Sequence, residues 1–296
     1  MPRHPMTTAE TPSGKGAGDE NFPVGSFLLP RRLRPKVAVF YAYARAIDDI
    51  ADNPALDPDD KIARLDGFDR ALTGETGDPA YEKAHRVRET MAETGQVIRH
   101  CRDLIVAFKQ DAVKSRYDDW DDLMGYCRHS AAPVGRFLID LHGGPDSAWP
   151  AADALCNALQ VINHLQDCAD DYRNLDRVYL PGDWMAAEGA AVEDLALPAM
   201  PPGLKRVKDR CLDGVDALLR DARPLMPALR SRRLAWESAA ILALAHALSK
   251  RLRAGDPVAA RIELSKPRAA LTAGRGVLGE LGRAWMMRPR TPTPGT

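Results

Sequence analysis

Apolar residues recur at helical spacing along most of this chain, and no run alternates apolar and polar positions between hairpin turns. The pattern therefore predicts helices. RPKVAVFYAYARAIDDIADN opens with Pro35 in the first turn of a helix that continues until Pro54 interrupts it. DPDDKIARLDGFDRAL places acids ahead of a helical apolar pattern, and one long segment over 80–112 continues in the same manner. Asp118, Asp119, Asp121 and Asp122 precede LMGYCRHSAAPVGRFLIDLHG; they read as helix-capping acids at the positive end of the macrodipole. Within that stretch Pro133 and Gly135 predict a break that exposes backbone. Residues 151–175 carry the strongest helical pattern, which RNLDRVYLP ends at Pro181. Residues 186–203 read as a loop with room for one short helix, followed by helices near 204–222, 232–253 and 257–286. Residues 1–20 and 288–296 are rich in Gly, Pro, Thr and Ser and read as disordered tails around one all-α domain over 21–287.

Composition narrows the functions open to such a bundle. Of 296 residues 45% are hydrophobic, enough for a sizeable core. Forty-one basic and 41 acidic residues cancel, so no global field favours nucleic acid, which is not an expected partner. Cys101, Cys127, Cys156, Cys168 and Cys211 are odd in number, scattered and without a CxxC pair. They predict reduced thiols in a cytoplasmic protein, with no zinc site. The first twenty residues lack an apolar signal core, and AAILALAHAL is about half a membrane span. GELGRAWMMRPR is basic and apolar, which suits contact with the inner face of a membrane, although a frayed last helix accounts for it equally well.

Two pairs of aspartates change this picture. Asp48 and Asp52 in YARAIDDIAD, and Asp167 and Asp171 in VINHLQDCADD, each lie one turn apart on an otherwise apolar helix. Like charges at this spacing repel by a few tenths of a kcal/mol when exposed and by far more when buried unpaired, unless a cation neutralises them. Each pair ends a polar seam. Tyr41, Arg45, Asp48 and Asp52 share one helix face, and Gln160, Asn163, Asp167 and Asp171 share another. Facing each other, the seams would surround a cavity with hard oxygen ligands suited to magnesium bridging to a diphosphate.

These residues carry a family resemblance. FYAYARAIDDIAD and NALQVINHLQDCADDYRNLDRVYLP resemble the two signature segments of the squalene and phytoene synthases, the head-to-head prenyltransferases. YCRHSAAPVG, with Tyr126, resembles a further loop segment of that family, and Ser26 with Phe27 echoes its N-terminal SxSF. The resemblance covers about residues 20–285. It implies one isoprenoid-synthase helical bundle with a central cavity for prenyl chains, and two or three Mg2+ ions with diphosphate at its mouth. It assigns the metal to Asp48, Asp52, Asp167 and Asp171, with Asp49 and Asp170 supporting them. It assigns the substrate to Tyr41, Arg45, Gln160, Asn163, Gln166, Arg177 and Tyr179. Tyr126 is implied to act as a phenol that donates to a leaving oxygen. His129 and His164 lie near these residues in sequence, but a lone helical His is more often a packing residue, so neither is assigned.

ENFPVGSFLLPRRLRP, NHLQD and DRVYLPGDW look most like the hopanoid-pathway branch that acts as hydroxysqualene synthase. Gln166 stands where many relatives place arginine, and Val24 and Gly25 replace Ser and Arg of the SRSF variant. Both changes remove groups that bind phosphate, which points to one diphosphate on an already joined substrate; Arg31, Arg32, Arg34 and Lys36 are the nearby groups able to restore the charge. The resemblance implies that presqualene diphosphate, handed over by its own synthase, ionises and is quenched by water to hydroxysqualene. NADPH is not expected. Condensation of two prenyl diphosphates to squalene or phytoene remains the enzymatic alternative, and a non-catalytic scaffold the alternative of another class. A terpene cyclase fits less well, because its second metal motif mixes Asn, Ser and Glu.

Overall fold

The computed structural model describes residues 8–12 and 27–286; Val24, Gly25, Ser26, most of the N-terminal tail and the whole 288–296 tail lie outside the described residues. Helix α1 spans Arg34–Ala51 with Pro35 in its first turn, and it buries Val37, Phe40, Tyr43, Ile47 and Ile50. The Tyr43 hydroxyl donates to the Cys101 carbonyl at 2.9 Å, which satisfies the polar tip of an otherwise apolar ring in the core. Helix α2 spans Pro58–Thr73, capped by the Asp57 side chain, which accepts from the Asp60 amide at 2.8 Å. The 80–112 segment is not one helix. Gly95, with φ +69°, ends α3 (Glu82–Thr94) before α4 (Arg99–Val113) begins, because glycine adopts the left-handed conformation at no steric cost.

Helix α5 spans Trp120–Ser130, and its cap Asp119 accepts from the Asp122 amide, as the acidic cluster predicts. The break follows at Ala131, with Pro133 in the first turn of α6 (Ala132–Leu141). Helix α7 (Trp149–Leu175) is the longest described element, and α8 (Gly182–Ala187), α9 (Pro202–Asp221), α10 (Leu225–Ala228), α11 (Arg232–Ala254) and α12 (Lys266–Met286) complete the bundle. Helix α12 starts nine residues later than the pattern predicts (266 against 257). The Asp256 carboxylate accepts from the Val258 and Ala259 amides at 3.0 and 3.2 Å, a local turn that competes with helix formation.

A parallel ladder of β1 (Arg116–Tyr117) and β2 (Val178–Pro181) was not legible, since elements this short show no alternation. It forms where the chain leaves α4 and α7 side by side, with the Val178 amide donating to Ser115 at 2.9 Å. Helix α1 packs on α2, α3 and α4, whereas α7 packs on α6, α9 and α11; α1 and α7 make at most marginal contact. One continuous core joins both groups, with Phe40 of α1 stacked on Phe137 of α6 at 3.9 Å between centroids.

Residues 8–12, inside the expected N-terminal tail, pack onto this bundle. Ala9 donates to the Ala80 carbonyl at 3.3 Å, Glu10 pairs with Lys83, and the Thr11 hydroxyl donates to the Asp49 carbonyl at 3.0 Å. Gly, Pro and Thr content is a measure of composition and does not register such specific partners. The five cysteines are free thiols, and among the described residues no helix is long and apolar enough to cross a membrane.

Candidate functional site

The last two turns of α1 present Asp48, Asp49 and Asp52. Arg45, one turn earlier, lies 3.2 Å from Asp48 and donates its Nε to Asp49 at 3.0 Å, so the helical spacing by itself positions that ion pair. Asp49 is buried. The Asp48 side chain is 28% exposed, yet burial of its carboxyl and the charge of Asp52 push its pKa well above the usual range, against the opposing pull of Arg45. Water therefore reaches a carboxyl whose charged form the surrounding protein and Asp52 disfavour and Arg45 favours.

Arg177, immediately before β2, joins the two halves of the molecule. Its backbone amide donates to the Asp171 carbonyl at 3.2 Å. Its guanidinium reaches across to Asp52 at 2.5 Å and to the Ala51 carbonyl at 2.8 Å. The left-handed turn at Asp176, with φ +51°, ends α7 and aims Arg177 back toward α1. Beside it a cleft of about 650 Å³ opens, whose lining includes Lys61, Lys114, Arg173 and Arg177.

Asp111, on α4, is a buried acid that the paired aspartates do not reveal. Its carboxylate accepts from the Tyr126 hydroxyl at 2.6 Å and from the Tyr179 hydroxyl at 3.1 Å. Burial pushes its pKa up to about 6, against the lowering effects of Arg177 and the two phenols. One signal was present in the sequence: Asp111 falls on the same face of α4 as Leu104 and Phe108, an acid on an apolar stripe. Tyr126 is 3% exposed, and its hydroxyl proton is directed at Asp111.

His164 stacks on Tyr179 at 3.7 Å, and burial, with Arg177 nearby, pushes its pKa down to about 3. It is a neutral packing partner, with Gln160 Nε2 at 3.0 Å from its Nε2. His129 bonds back to the Gly125 carbonyl of its own helix.

The α7 seam divides. Gln160, Asn163, Asp167 and Asp171 are partly exposed on one face, with Asp167 paired to Arg261. Asp170 is turned away: it is 65% exposed and pairs with Arg173 at 3.5 Å, because each residue rotates the helix by about 100°. Gln166 is also off the seam. It is 3% exposed and its Nε2 donates to the Ile262 carbonyl at 2.5 Å, so it tethers the segment between α11 and α12. Tyr41 lies partly buried one turn before Arg45. Arg31, Arg32, Arg34 and Lys36 are at the far end of the molecule. Arg34 precedes Asp48 by 14 residues (48 − 34), about 21 Å along α1. Lys36 pairs with Glu93, and Arg34 donates to the Leu29 and Phe27 carbonyls. They do not restore charge at the acidic end.

Among the described residues no three His, Cys, Asp or Glu side chains converge closely enough to hold a metal alone. Paired carboxylates on separate walls do fit Mg2+, which is commonly held by one or two carboxylates and completed by phosphate oxygens.

The chain is similar to proteins of known family. The model of the squalene/phytoene synthase family matches residues 16–273. A hydroxysqualene synthase of Rhodopseudomonas palustris is 44% identical over 92% of this chain and 93% of its own, and one of Zymomonas mobilis is 40% identical over 95% and 94%. The crystal structure of squalene synthase HpnC from Alicyclobacillus acidocaldarius is 33% identical, with a TM-score of 0.68 over 78% of this chain and 87% of that one. A dehydrosqualene synthase at 22% identity and a TM-score of 0.73, covering 90% of this chain and 93% of that one, shares the fold. The chain belongs to the squalene/phytoene synthase family.

Proposed function

We propose that this enzyme converts presqualene diphosphate and water to hydroxysqualene and inorganic diphosphate. The observation that carries the reading is the 38–44% identity to three hydroxysqualene synthases over most of the chain. In class it is a carbon–oxygen lyase that releases diphosphate. Its supply requires an enzyme that first joins two prenyl diphosphates head to head, and its product suits the route to squalene and hopanoids.

In this reading Asp48 and Asp52 on one wall, and Asp167 and Asp171 on the other, hold Mg2+. Bound there, Mg2+ neutralises charge building on the departing diphosphate. Arg45 and Arg177 keep the first-wall carboxylates in place through their ion pairs, and Arg177 adds positive charge within the cleft. Tyr41, Gln160 and Asn163 line the seams and orient the substrate, while Asp49 fixes Arg45. The quench uses the phenol pair. As the oxygen of water bonds to the carbocation, its O–H bond breaks and the proton passes to the Tyr126 oxygen, while the Tyr126 proton moves to Asp111. Tyr179 holds the second carboxylate oxygen in place. A carboxylate with a pKa of about 6 takes up that proton at neutral pH and releases it afterwards.

Incubation of the purified protein with Mg2+, presqualene diphosphate and 18O-labelled water tests the reading, with product mass as the readout. Hydroxysqualene carrying the label is expected. A second reading, condensation of two farnesyl diphosphates to squalene, is favoured by the solved relative described as a squalene synthase. Consumption of farnesyl diphosphate with NADPH, and no reaction of presqualene diphosphate, would establish that alternative. A scaffold would show no Mg2+-dependent diphosphate binding.

A further inference from the structure

The end of the bundle away from the aspartates has a chemistry that the reaction does not use. There Phe27, Pro30, Arg31, Arg32, Arg34 and Arg233 line a cleft of about 670 Å³ that contains four arginines and no carboxylate. Phe27 is 78% exposed. Arg233 donates to the Leu28 carbonyl at 3.1 Å, which ties the start of α11 to the Phe27 segment, and Arg34 holds the same segment from α1. In a chain whose basic and acidic residues balance, this concentration of positive charge is a local arrangement.

Helix α12 leads to the same place. A Cβ on Gly276 would come within 2.5 Å of the Ala239 carbonyl oxygen, so the bare glycine lets α12 lie directly on α11. The two helices run antiparallel, since the chain turns back between Gly255 and Lys266. Arg283 is seven residues after Gly276 and Arg232 seven before Ala239, about 10 Å along each axis, so they come level beside the arginine cleft. The outer face of α12 carries Leu271, Leu278 and Leu281 at 57%, 67% and 41% exposure. Exposed Lys266, Arg268, Arg275 and Arg283 flank that stripe, and the helix has one acid, Glu280, which is buried. Large exposed leucines on a helix whose exposed charges are all basic match an apolar interior beneath anionic headgroups.

We infer that this end of the bundle docks on an anionic lipid bilayer, with Phe27, Leu278 and Leu281 entering the headgroup boundary and the arginines pairing with lipid phosphates. Docking this way leaves the aspartates about 21 Å from the membrane-facing end, open to water-soluble diphosphate and metal. The inference rests on surface chemistry and stands apart from the choice of reaction.

Vesicle flotation of the full chain tests it, with phosphatidylcholine alone and with phosphatidylcholine containing phosphatidylglycerol, at low and high NaCl. Binding to the anionic vesicles only, weakening with salt, is expected. Arg31→Gln with Arg32→Gln and Arg275→Gln should weaken it at least about tenfold, as should Leu278→Gln with Leu281→Gln, with unfolding midpoints unchanged because all five positions are exposed. Turnover of detergent-dispersed substrate should also be unchanged. No vesicle binding, equal binding to both lipids, or binding untouched by the variants overturns the inference. So does a Leu278→Gln, Leu281→Gln protein that loses a dimer in sedimentation while keeping vesicle binding, since the face then joins two copies of this chain.

Discussion

Asp111 accepts two phenol hydrogen bonds in a buried setting that pushes its pKa up to about 6, so stability should depend on pH, and in the proposed quench so should the rate. The folded state holds this proton more tightly than the unfolded chain, where a carboxyl titrates near 4. Ionisation of Asp111 therefore costs stability as pH rises from about 4 through 6, and acidification through that window restores it. Unfolding midpoints of the metal-free protein should rise between pH 6.5 and 4.5 relative to Asp111→Asn, and parallel profiles for the two proteins would exclude the effect. Turnover should move the opposite way, falling below about pH 6, and Asp111→Asn should lose about 10²–10⁴-fold in rate with little change in diphosphate binding. Asp48 pairs opposite effects in one substitution. Its carboxyl is held above the usual range by burial and by Asp52, so Asp48→Asn relieves repulsion and should raise the unfolding midpoint without metal. The same change should lower Mg2+-dependent turnover at least about a hundredfold, read by diphosphate release. A variant that loses stability and keeps its rate would argue against the cleft assignment.

Helix α7 shows how spacing succeeds and where it stops. Periodicity alone puts Gln160, Asn163, Asp167 and Asp171 on one face, and the structure keeps them there. The same periodicity turns Gln166 and Asp170 off that face, so the family positions that suggest a phosphate role for Gln166 are answered by a tether to Ile262. Gln166→Leu should cost about 1–3 kcal/mol by leaving that buried carbonyl without its donor, measured by urea unfolding, with the rate constant for turnover intact. Gln166→Arg should cost more, since it buries a charge, and is not expected to create a second diphosphate site. The break at Gly95 and the late start of α12 depended on a left-handed glycine and on the side-chain turn at Asp256, which a hydropathy period does not register.

Across the whole molecule the decisive contact is long-range. Arg177 lies 125 residues from Asp52, and only the fold brings them within 2.5 Å. Arg177 is buried while Asp52 is about a third exposed, so solvent moderates what the pair contributes. Arg177→Met should destabilise by about 2–3 kcal/mol, less than the 3–5 typical of a fully buried pair, and should separate the ends of α1 and α7. Equilibrium denaturation checks the first expectation, and an increase in amide exchange at Val178 the second. Most of the long helices, the polar seams and the two acidic pairs were legible, because each depends on residues within a few turns of one another. Family membership was equally legible, since its signature segments are local strings. Asp111 with its phenols, the Arg177 bridge and the tether of Gln166 to Ile262 were decided by tertiary structure. Each depends on which distant helices lie side by side, and on whether a charge then meets water or protein. Only that environment sets its pKa and its partner.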